Sequence, residues 1–284
     1  MAIFTNQATL IYNGQSTSSN VTTGEILNGI SLTKTAISAN YGRNDRIAYV
    51  VTIANNGGAI TNATLTDDLG AYTSAGGLTV TPLTYVDGSL LYYVNGTPTA
   101  SPTAAGGPPL TITGIDIPAG ENVVLIYEAA TNEYTPLEVG GVITNTATLT
   151  GAGLAEAVAD TATVDAREEV ALTIAKAMCP PVVNDNDTLT YTFIIQNGGN
   201  TAVVGTDNVV VTDTFNPILN PIEVRFNGTL WTDGVEYEYD ETTGLFTTTN
   251  GNITVPAATY TQDVATGAYS ITPGVAVITV TGTV

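Results

Sequence analysis

The chain has no histidine, a single cysteine, one tryptophan and only 6 basic residues among 284. Histidine is the commonest general base and metal ligand, so its absence removes most hydrolase and metal-site architectures at once. Cys179, in Cys179-Pro180-Pro181, has no second cysteine to pair with inside the chain and no histidine to activate it as a nucleophile. With 26 acidic residues the formal net charge is −20. Nucleic acid and anionic membranes both need basic patches, so neither is an expected partner. No apolar run is long enough for a membrane-spanning helix. Met1-Ala2-Ile3-Phe4 lacks the basic n-region and apolar core of a signal peptide. No Gly-rich phosphate loop occurs, and no carboxylate pair stands out as a glycosidase acid and base. The run Asn184-Asp185-Asn186-Asp187 is the best local candidate for calcium. It lacks the glycine and distal glutamate of an EF-hand loop and reads as a polar turn. The expectation is a chain that is no enzyme and carries no cofactor and no metal.

What is present is strand and turn chemistry. Charged residues make up 11% and hydrophobic residues 43%, too apolar for a disordered acidic chain. Runs such as Arg46-Ile47-Ala48-Tyr49-Val50-Val51-Thr52-Ile53, Asn122 to Tyr127 and Leu189 to Ile195 are rich in β-branched and aromatic residues. Asn-Gly and Asp-Gly pairs at 13–14, 56–57, 87–88, 95–96, 197–198, 227–228 and 233–234 separate such runs. Helical periodicity is almost absent. The sequence predicts an all-β chain of tandem immunoglobulin-like, Greek-key β-sandwiches.

The chain also repeats itself. Leu32-Thr33-Lys34-Thr35-Ala36 matches Ile174-Ala175-Lys176-Ala177-Met178, and Ile47 to Gly57 matches Leu189 to Gly198. Thr64-Leu65-Thr66-Asp67-Asp68-Leu69 matches Val210-Val211-Thr212-Asp213-Thr214-Phe215, and Tyr93 to Thr97 matches Arg225 to Thr229. Ile117-Pro118-Ala119-Gly120 matches Thr272-Pro273-Gly274, each followed by an apolar strand. The first copy continues into Val142-Ile143-Thr144-Asn145-Thr146-Ala147-Thr148-Leu149, whereas the second has no such stretch before Val284. The phrase returns at the N-terminus as Phe4-Thr5-Asn6-Gln7-Ala8-Thr9-Leu10. Asn6 precedes Lys34 by nearly the interval at which Asn145 precedes Lys176. Residues 1–28 are therefore expected to be a donor-strand segment, residues 29–166 a complete sandwich, and residues 167–284 a sandwich lacking its closing strand. If Asn6 faces inward on such a strand, Phe4, Ala8 and Leu10 share its face. A donor end and an acceptor end that differ give a head-to-tail contact between copies, hence a homopolymer.

A lysine on the first strand, a Tyr-containing strand ending in Asn-x-Gly, a Thr-Asp-x-Leu/Phe step and a late Ile-Thr-Asn-x-Ala-Thr together resemble the conserved repeat domain family, domain of unknown function 11, of bacterial surface proteins. The two-module layout further resembles spore-appendage proteins of anaerobic spore formers. The resemblance implies an extracellular place on a cell or spore surface; with no signal peptide visible, the expected route is trimming of a longer precursor, non-classical export or release by mother-cell lysis. Its implied partners are copies of the same chain, with accessory or anchor proteins. It also implies a spontaneous isopeptide bond from a Lys/Asp/Asn trio. Lys34 is then the nucleophile, Asn145 the electrophile and Asp67 the promoting acid; in the second copy, Lys176 and Asp213 are present and Asn6 of another chain supplies the amide. The chain's only lysines are Lys34 and Lys176, at equivalent repeat positions. The structural alternative for each is a plain buried salt bridge.

A competing reading is a surface adhesin that binds ligand through exposed loops around Gly76-Gly77 and Thr97 to Pro109. These loops contain no aromatic cluster to grip a sugar. Trp231, near Tyr237 and Tyr239, reads as a packed strand residue.

Overall fold

The structure is a computed structural model that describes residues 2–26 and 29–284. Among the described residues there is no α-helix, and so none long and apolar enough to cross a membrane; the only helical turn is a short 3₁₀ segment at Gly205–Asp207. The chain divides into two compact units. The first comprises Met1–Pro136, Gly140–Ala166 and Gln262–Ala268; the second comprises Leu137–Val139, Arg167–Thr261 and Tyr269–Val284.

The N-terminal strands β1 (Ala2–Asn6), β2 (Thr9–Tyr12), β3 (Gln15–Ser18) and β4 (Thr22–Ile26) form a long two-stranded ribbon, β1 on β4 and β2 on β3. Asn13 and Gly14, with φ of 49° and 77°, make the left-handed turn at its tip that a tight hairpin requires. Ser19 N–H donates to the Ala8 carbonyl at 2.8 Å, and the Ala8 N–H donates to Ser19 Oγ at 3.0 Å. Phe4 pairs with Gly24 and Thr9 with Ser18, so the register slips by one residue near Asn20. Phe4, Leu10, Ile11, Tyr12 and Val21 are all more than half exposed. The sequence phrase Phe4–Leu10 is thus one half of a hairpin, and the structure adds a second strand to it.

The first unit continues with β5 (Ile30–Ala36), β6 (Asn40–Tyr41), β7 (Arg46–Asn55), β8 (Ile60–Asp67), β9 (Tyr72–Thr73), β10 (Thr79–Val80), β11 (Leu83–Tyr85), β12 (Leu91–Val94), β13 (Thr97–Thr99), β14 (Thr103–Ala105), β15 (Leu110–Ile117), β16 (Asn122–Thr131), β17 (Val142–Thr150) and β18 (Val158–Ala166). One sheet has the order β13-β12-β16-β7-β5, the other β14-β15-β8-β17-β18-β6. Alternation fills the space between them: Ile47, Tyr49, Val51 and Ile53 of β7 and Val123, Leu125 and Tyr127 of β16 are buried, and their sequence neighbours are not. The hairpin β17–β18 closes the sandwich beside β5. Ile143, Asn145, Ala147 and Leu149 of β17, and Ala162, Val164 and Ala166 of β18, all point into the core.

The second unit holds β19 (Leu172–Cys179), β20 (Thr188–Asn197), β21 (Thr212–Thr214), β22 (Ile222–Phe226), β23 (Thr229–Leu230), β24 (Tyr237–Asp240), β25 (Leu245–Thr248), β26 (Thr259–Gln262), β27 (Tyr269–Thr272) and β28 (Gly274–Thr283). Its main sheet is β19-β20-β28-β22-β23, facing the shorter sheet β21-β25-β24. The core includes Phe193, Ile195, Phe215, Val224, Phe246 and Ile278. Trp231 is buried in that core and stacks on Phe226 at 5.0 Å. Asn184–Asp187 is a hydrogen-bonded turn: Asn184 N–H donates to Asp187 Oδ2 at 2.7 Å, as Gly42 N–H donates to Asp45 Oδ2 at 2.8 Å in the first unit.

An asparagine at the end of the central strand fixes the same corner in both units. Asn55 Nδ2 donates to the Ile117 and Pro118 carbonyls and its Oδ1 accepts from Gly57 N–H. Asn197 Nδ2 donates to the Thr201 and Pro256 carbonyls and its Oδ1 accepts from Ala171 and Gly199 N–H. The counterpart of Pro118 is therefore Pro256, not Pro273 as the sequence match has it. The hairpin β26–β27 is inserted between that corner and the apolar strand. Each side chain is buried and serves several main-chain groups, so removing it strands them. Asn197→Ala is expected to destabilise the second unit, and Asn55→Ala the first, by about 2–4 kcal/mol in denaturant unfolding.

Candidate functional site

The site begins with two strands in identical register. Ile30, Leu32, Lys34 and Ala36 of β5 lie opposite Asn55, Ile53, Val51 and Tyr49 of β7. Leu172, Ile174, Lys176 and Met178 of β19 lie opposite Asn197, Ile195, Phe193 and Tyr191 of β20. The sequence repeat thus puts both lysines on the inner row of an edge strand. Asp67 ends β8 and Asp213 sits in β21, the strands that face them from the other sheet.

In the first unit the lysine is sealed. Lys34 Nζ donates to Asp67 Oδ2 at 2.6 Å, with side chains 0% and 1% exposed. Tyr127 Oη donates to the same carboxylate oxygen. Lys34 Nζ lies 4.8 Å from the centre of the Tyr49 ring, which itself stacks on Tyr127 at 5.8 Å. Burial lowers the Lys34 pKa, and the Asp67 carboxylate offsets that in part. Burial pushes the Tyr49 hydroxyl up, with the Asn145 amide beside it pulling the other way. Tyr127 is pushed well above the usual phenol range by burial first and by Asp67 second.

Asn145 completes the cluster. Ala147 pairs with Asp67 across β17 and β8, so Asn145 sits one inward position further along the same face. Its side chain is wholly buried, beside the Tyr49 hydroxyl but outside hydrogen-bond geometry, and neither Oδ1 nor Nδ2 has a hydrogen-bond partner. An orphaned buried amide is costly and rare in a well-packed core. The Lys34 ammonium lies over the Tyr49 ring, and this amide lies near the Tyr49 hydroxyl. The main-chain N–H of Lys34 is also capped, donating to Asp160 Oδ2 of β18 at 2.8 Å.

In the second unit the same pair is open. Lys176 Nζ donates to Asp213 Oδ2, but the side chains are 38% and 21% exposed. Three rings hold the ammonium in place: Tyr191 at 4.2 Å and Phe193 and Phe215 at 5.5 Å. Every residue of β19 is exposed, Ile174 at 56% where its counterpart Leu32 is at 8%. The cause is topological. In the first unit β8 pairs with β15 and with β17, whereas among the described residues β21 pairs with β25 alone. Among the described residues, no strand of the second unit takes the place of β17–β18.

The remaining sequence-predicted residues, Phe4, Asn6, Ala8 and Leu10, all lie exposed on the N-terminal ribbon. The structure therefore pairs Lys34 with Asp67 and Lys176 with Asp213, places Asn145 on the buried face beside the residue that pairs with Asp67, and leaves Asn6 exposed on the ribbon. Tyr49, Tyr127 and Asp160 escaped the sequence reading as site residues. Tyr49 and Tyr191 share a repeat position, a usable signal; Tyr127 has Val280 in its place and Asp160 has no counterpart in the second copy.

No family model matches the chain, and no curated protein matches it; the resemblance to the conserved repeat domain family rests on its motifs alone. Among solved structures, the chain is similar to the major pilin subunit of Bacillus cereus, at 10% identity and TM-score 0.38, covering 94% of this chain and 70% of that one. It is similar to the collagen-binding subdomain of an Enterococcus faecalis surface protein, at 5% identity and TM-score 0.32, covering 50% and 99%. It is also similar to a family 123 glycoside hydrolase from Clostridium perfringens, at 7% identity and TM-score 0.32, covering 50% of this chain and 28% of that one. Likenesses at TM-scores of 0.32 to 0.38 are too loose to bear on function.

Burial decides what each carboxylate is worth. Asp67→Ala leaves a sealed ammonium without its partner and is expected to cost about 3–5 kcal/mol. Asp213→Ala leaves an ammonium that water still reaches, and is expected to cost the unassembled chain at most about 1 kcal/mol. Chemical denaturation of the two variants reads the difference.

Proposed function

We propose that this chain is the structural subunit of an extracellular filament on a cell or spore surface. The N-terminal ribbon of one copy occupies the open side of the second unit of the next. Side-chain amide bonds then join Lys34 to Asn145 within a chain and Lys176 to Asn6 between chains. One observation carries the reading: the row Ile143, Asn145, Ala147, Leu149 closes the first unit, its sequence double Phe4, Asn6, Ala8, Leu10 lies exposed on a preformed hairpin, and the second unit is open where such a hairpin fits.

The donor in this reading is two-stranded. The strand carrying Phe4 to Leu10 adds to the free edge of β21, as β17 adds to β8. The returning strand lies along β19, as β18 lies along β5. The pairing keeps the count of side-chain carbons: Ile143 opposite Val164 in the closed unit corresponds to Phe4 opposite Gly24 in the ribbon. Leu172, Ile174, Met178, Phe4 and Leu10 gain about 1.5–3 kcal/mol each on full burial. Together with main-chain pairing, that is comparable to the roughly 4–15 kcal/mol that association costs. Donor and acceptor surfaces differ, so the contact is heterologous and propagates as a filament unless it closes on itself.

The covalent step draws on a lysine and an aspartate already at hydrogen-bond distance, Lys34 and Asp67, with Asn145 buried one inward position from the residue that pairs with Asp67. In a dry core a lysine–aspartate pair at hydrogen-bond distance is readily shared as neutral amine and carboxylic acid. The amine nitrogen attacks Cγ of the asparagine, and the acid donates a hydrogen bond to its carbonyl oxygen. The Cγ–Nδ2 bond breaks, Nδ2 takes the proton shed by the amine, and ammonia leaves. The product is a secondary amide, formed once and without oxidant or cofactor. Confinement supplies the effective molarity. The orphaned Asn145 amide is explained as a reactant held ready for attack.

Denaturing gels and intact-mass analysis test this. Wild-type assemblies are expected to resist denaturant, and each subunit to be lighter by one ammonia per bond. Asn6→Ala is expected to assemble into filaments that denaturant dissolves. Asn145→Leu removes an unpartnered buried amide, which by packing alone relieves about 1–3 kcal/mol; a loss of stability together with the loss of the internal ammonia deficit is the expected result. Complete dissolution of wild-type filaments to monomers of unmodified mass sinks the covalent step, and undiminished polymerisation of Phe4→Asp sinks the docking.

A further inference from the structure

In the closed unit the cover does more than fill space: it satisfies the outward main-chain N–H of the reactive lysine. Lys34 N–H points away from β7 and donates to Asp160 Oδ2 of the covering strand at 2.8 Å. Asp160 stands two residues before Ala162, which pairs with Asn145. Lys176 holds the register position of Lys34, opposite Phe193 as Lys34 is opposite Val51, so its N–H points out of β19 into the open side. A cover that leaves this N–H unpaired while burying it forfeits about 1–3 kcal/mol.

On the ribbon, Thr22 pairs with Asn6 as Ala162 pairs with Asn145. Two residues before Thr22 stands Asn20. Its side chain is exposed, and it falls where the ribbon register slips, at the junction of β3 and β4. Its side-chain carbonyl has the same reach and acceptor geometry as one oxygen of an aspartate. It differs by carrying no charge, which suits a joint between two chains that are each strongly acidic.

Resting on the head-to-tail reading above, we propose that Asn20 of one copy accepts the hydrogen bond from the main-chain N–H of Lys176 in the next, taking the part that Asp160 plays for Lys34. Asn20 is thus a positioning residue: it fixes the ribbon along β19 so that Asn6 meets Lys176, and touches no reacting atom. The interaction also fixes which way along β19 the ribbon lies. A one-residue slip would move every inward side chain to the opposite face.

The test uses full-length chains and follows polymerisation by light scattering at physiological salt, where charge repulsion between copies is screened within about 8 Å. Asn20→Ala is expected to raise the concentration needed for assembly about 5- to 10-fold, the loss of one hydrogen bond. It should also slow the Lys176–Asn6 ammonia loss in filaments that do form, while leaving the Lys34–Asn145 loss unchanged. Asn20→Asp, which keeps the acceptor, is expected to restore both. Asn20→Ala assembling and cross-linking like wild type, or Asn20→Asp failing as Asn20→Ala does, overturns the proposal. Phe4→Asp is the parallel control. If it blocks assembly while Asn20→Ala does not, the role of Asn20 alone is lost; if neither variant affects assembly, the head-to-tail reading falls and takes this proposal with it.

Discussion

The ion pair between a lysine on an edge strand and an aspartate on the facing sheet governs both units, and its state depends on what lies over it. An ammonium and a carboxylate inside a sandwich are tolerable only when paired and hydrogen-bonded. In the first unit β17–β18 supplies the seal, so Lys34 and Asp67 sit dry among Tyr49, Tyr127 and Asn145. In the second unit the same two residues hold the same contact beneath a cage of three aromatic rings, open to water. In the proposed assembly, a hairpin of the same pattern closes the second unit as β17–β18 closes the first.

Such an arrangement carries a hazard. A free edge at β21, a fully exposed β19 and a ribbon studded with Phe4, Leu10, Ile11 and Tyr12 invite indiscriminate pairing. Two features counter it. The net charge of −20 keeps copies apart until short-range fit takes over. The ribbon is also already a hairpin, so its two strands satisfy each other's main chain and pay less ordering entropy on docking. In the proposed assembly, specificity falls to the inward row, with Asn6 opposite a lysine, and to Asn20.

Much of this was legible in the sequence. The alternation of apolar residues along β7, β16 and β20 reports strands with one buried face, and the repeat register of Lys34 with Lys176 and Asp67 with Asp213 reappears atom for atom as two ion pairs. The doubled phrase Ile-Thr-Asn-x-Ala-Thr pointed to a row that closes one unit and lies free on the ribbon. Residues 1–28 read as one donor segment, but that Gln15–Ile26 returns to pair with β1 and β2 was not legible, because its polar Ser, Thr and Asn content gives no apolar alternation to mark a strand. Tyr127 was hidden because its role depends on a cross-sheet approach to Asp67, and the second copy has valine there. The counterpart of Pro118 was read as Pro273 because the inserted hairpin β26–β27 is followed by a second proline beside a glycine. Local pattern identifies strands and faces; which strand lies over which lysine is settled by tertiary pairing.

Amide hydrogen exchange, compared between assembled wild-type chains and full-length chains kept monomeric by Phe4→Asp, tests the central claim most directly. Assembly is expected to slow exchange along the ribbon, at Lys176 and its neighbours in β19, and at Thr212 to Thr214 in β21, while β5 and β8 keep the protection they already have in the monomer. Exchange at β19 and β21 that is as fast in the assembly as in the monomer would contradict it.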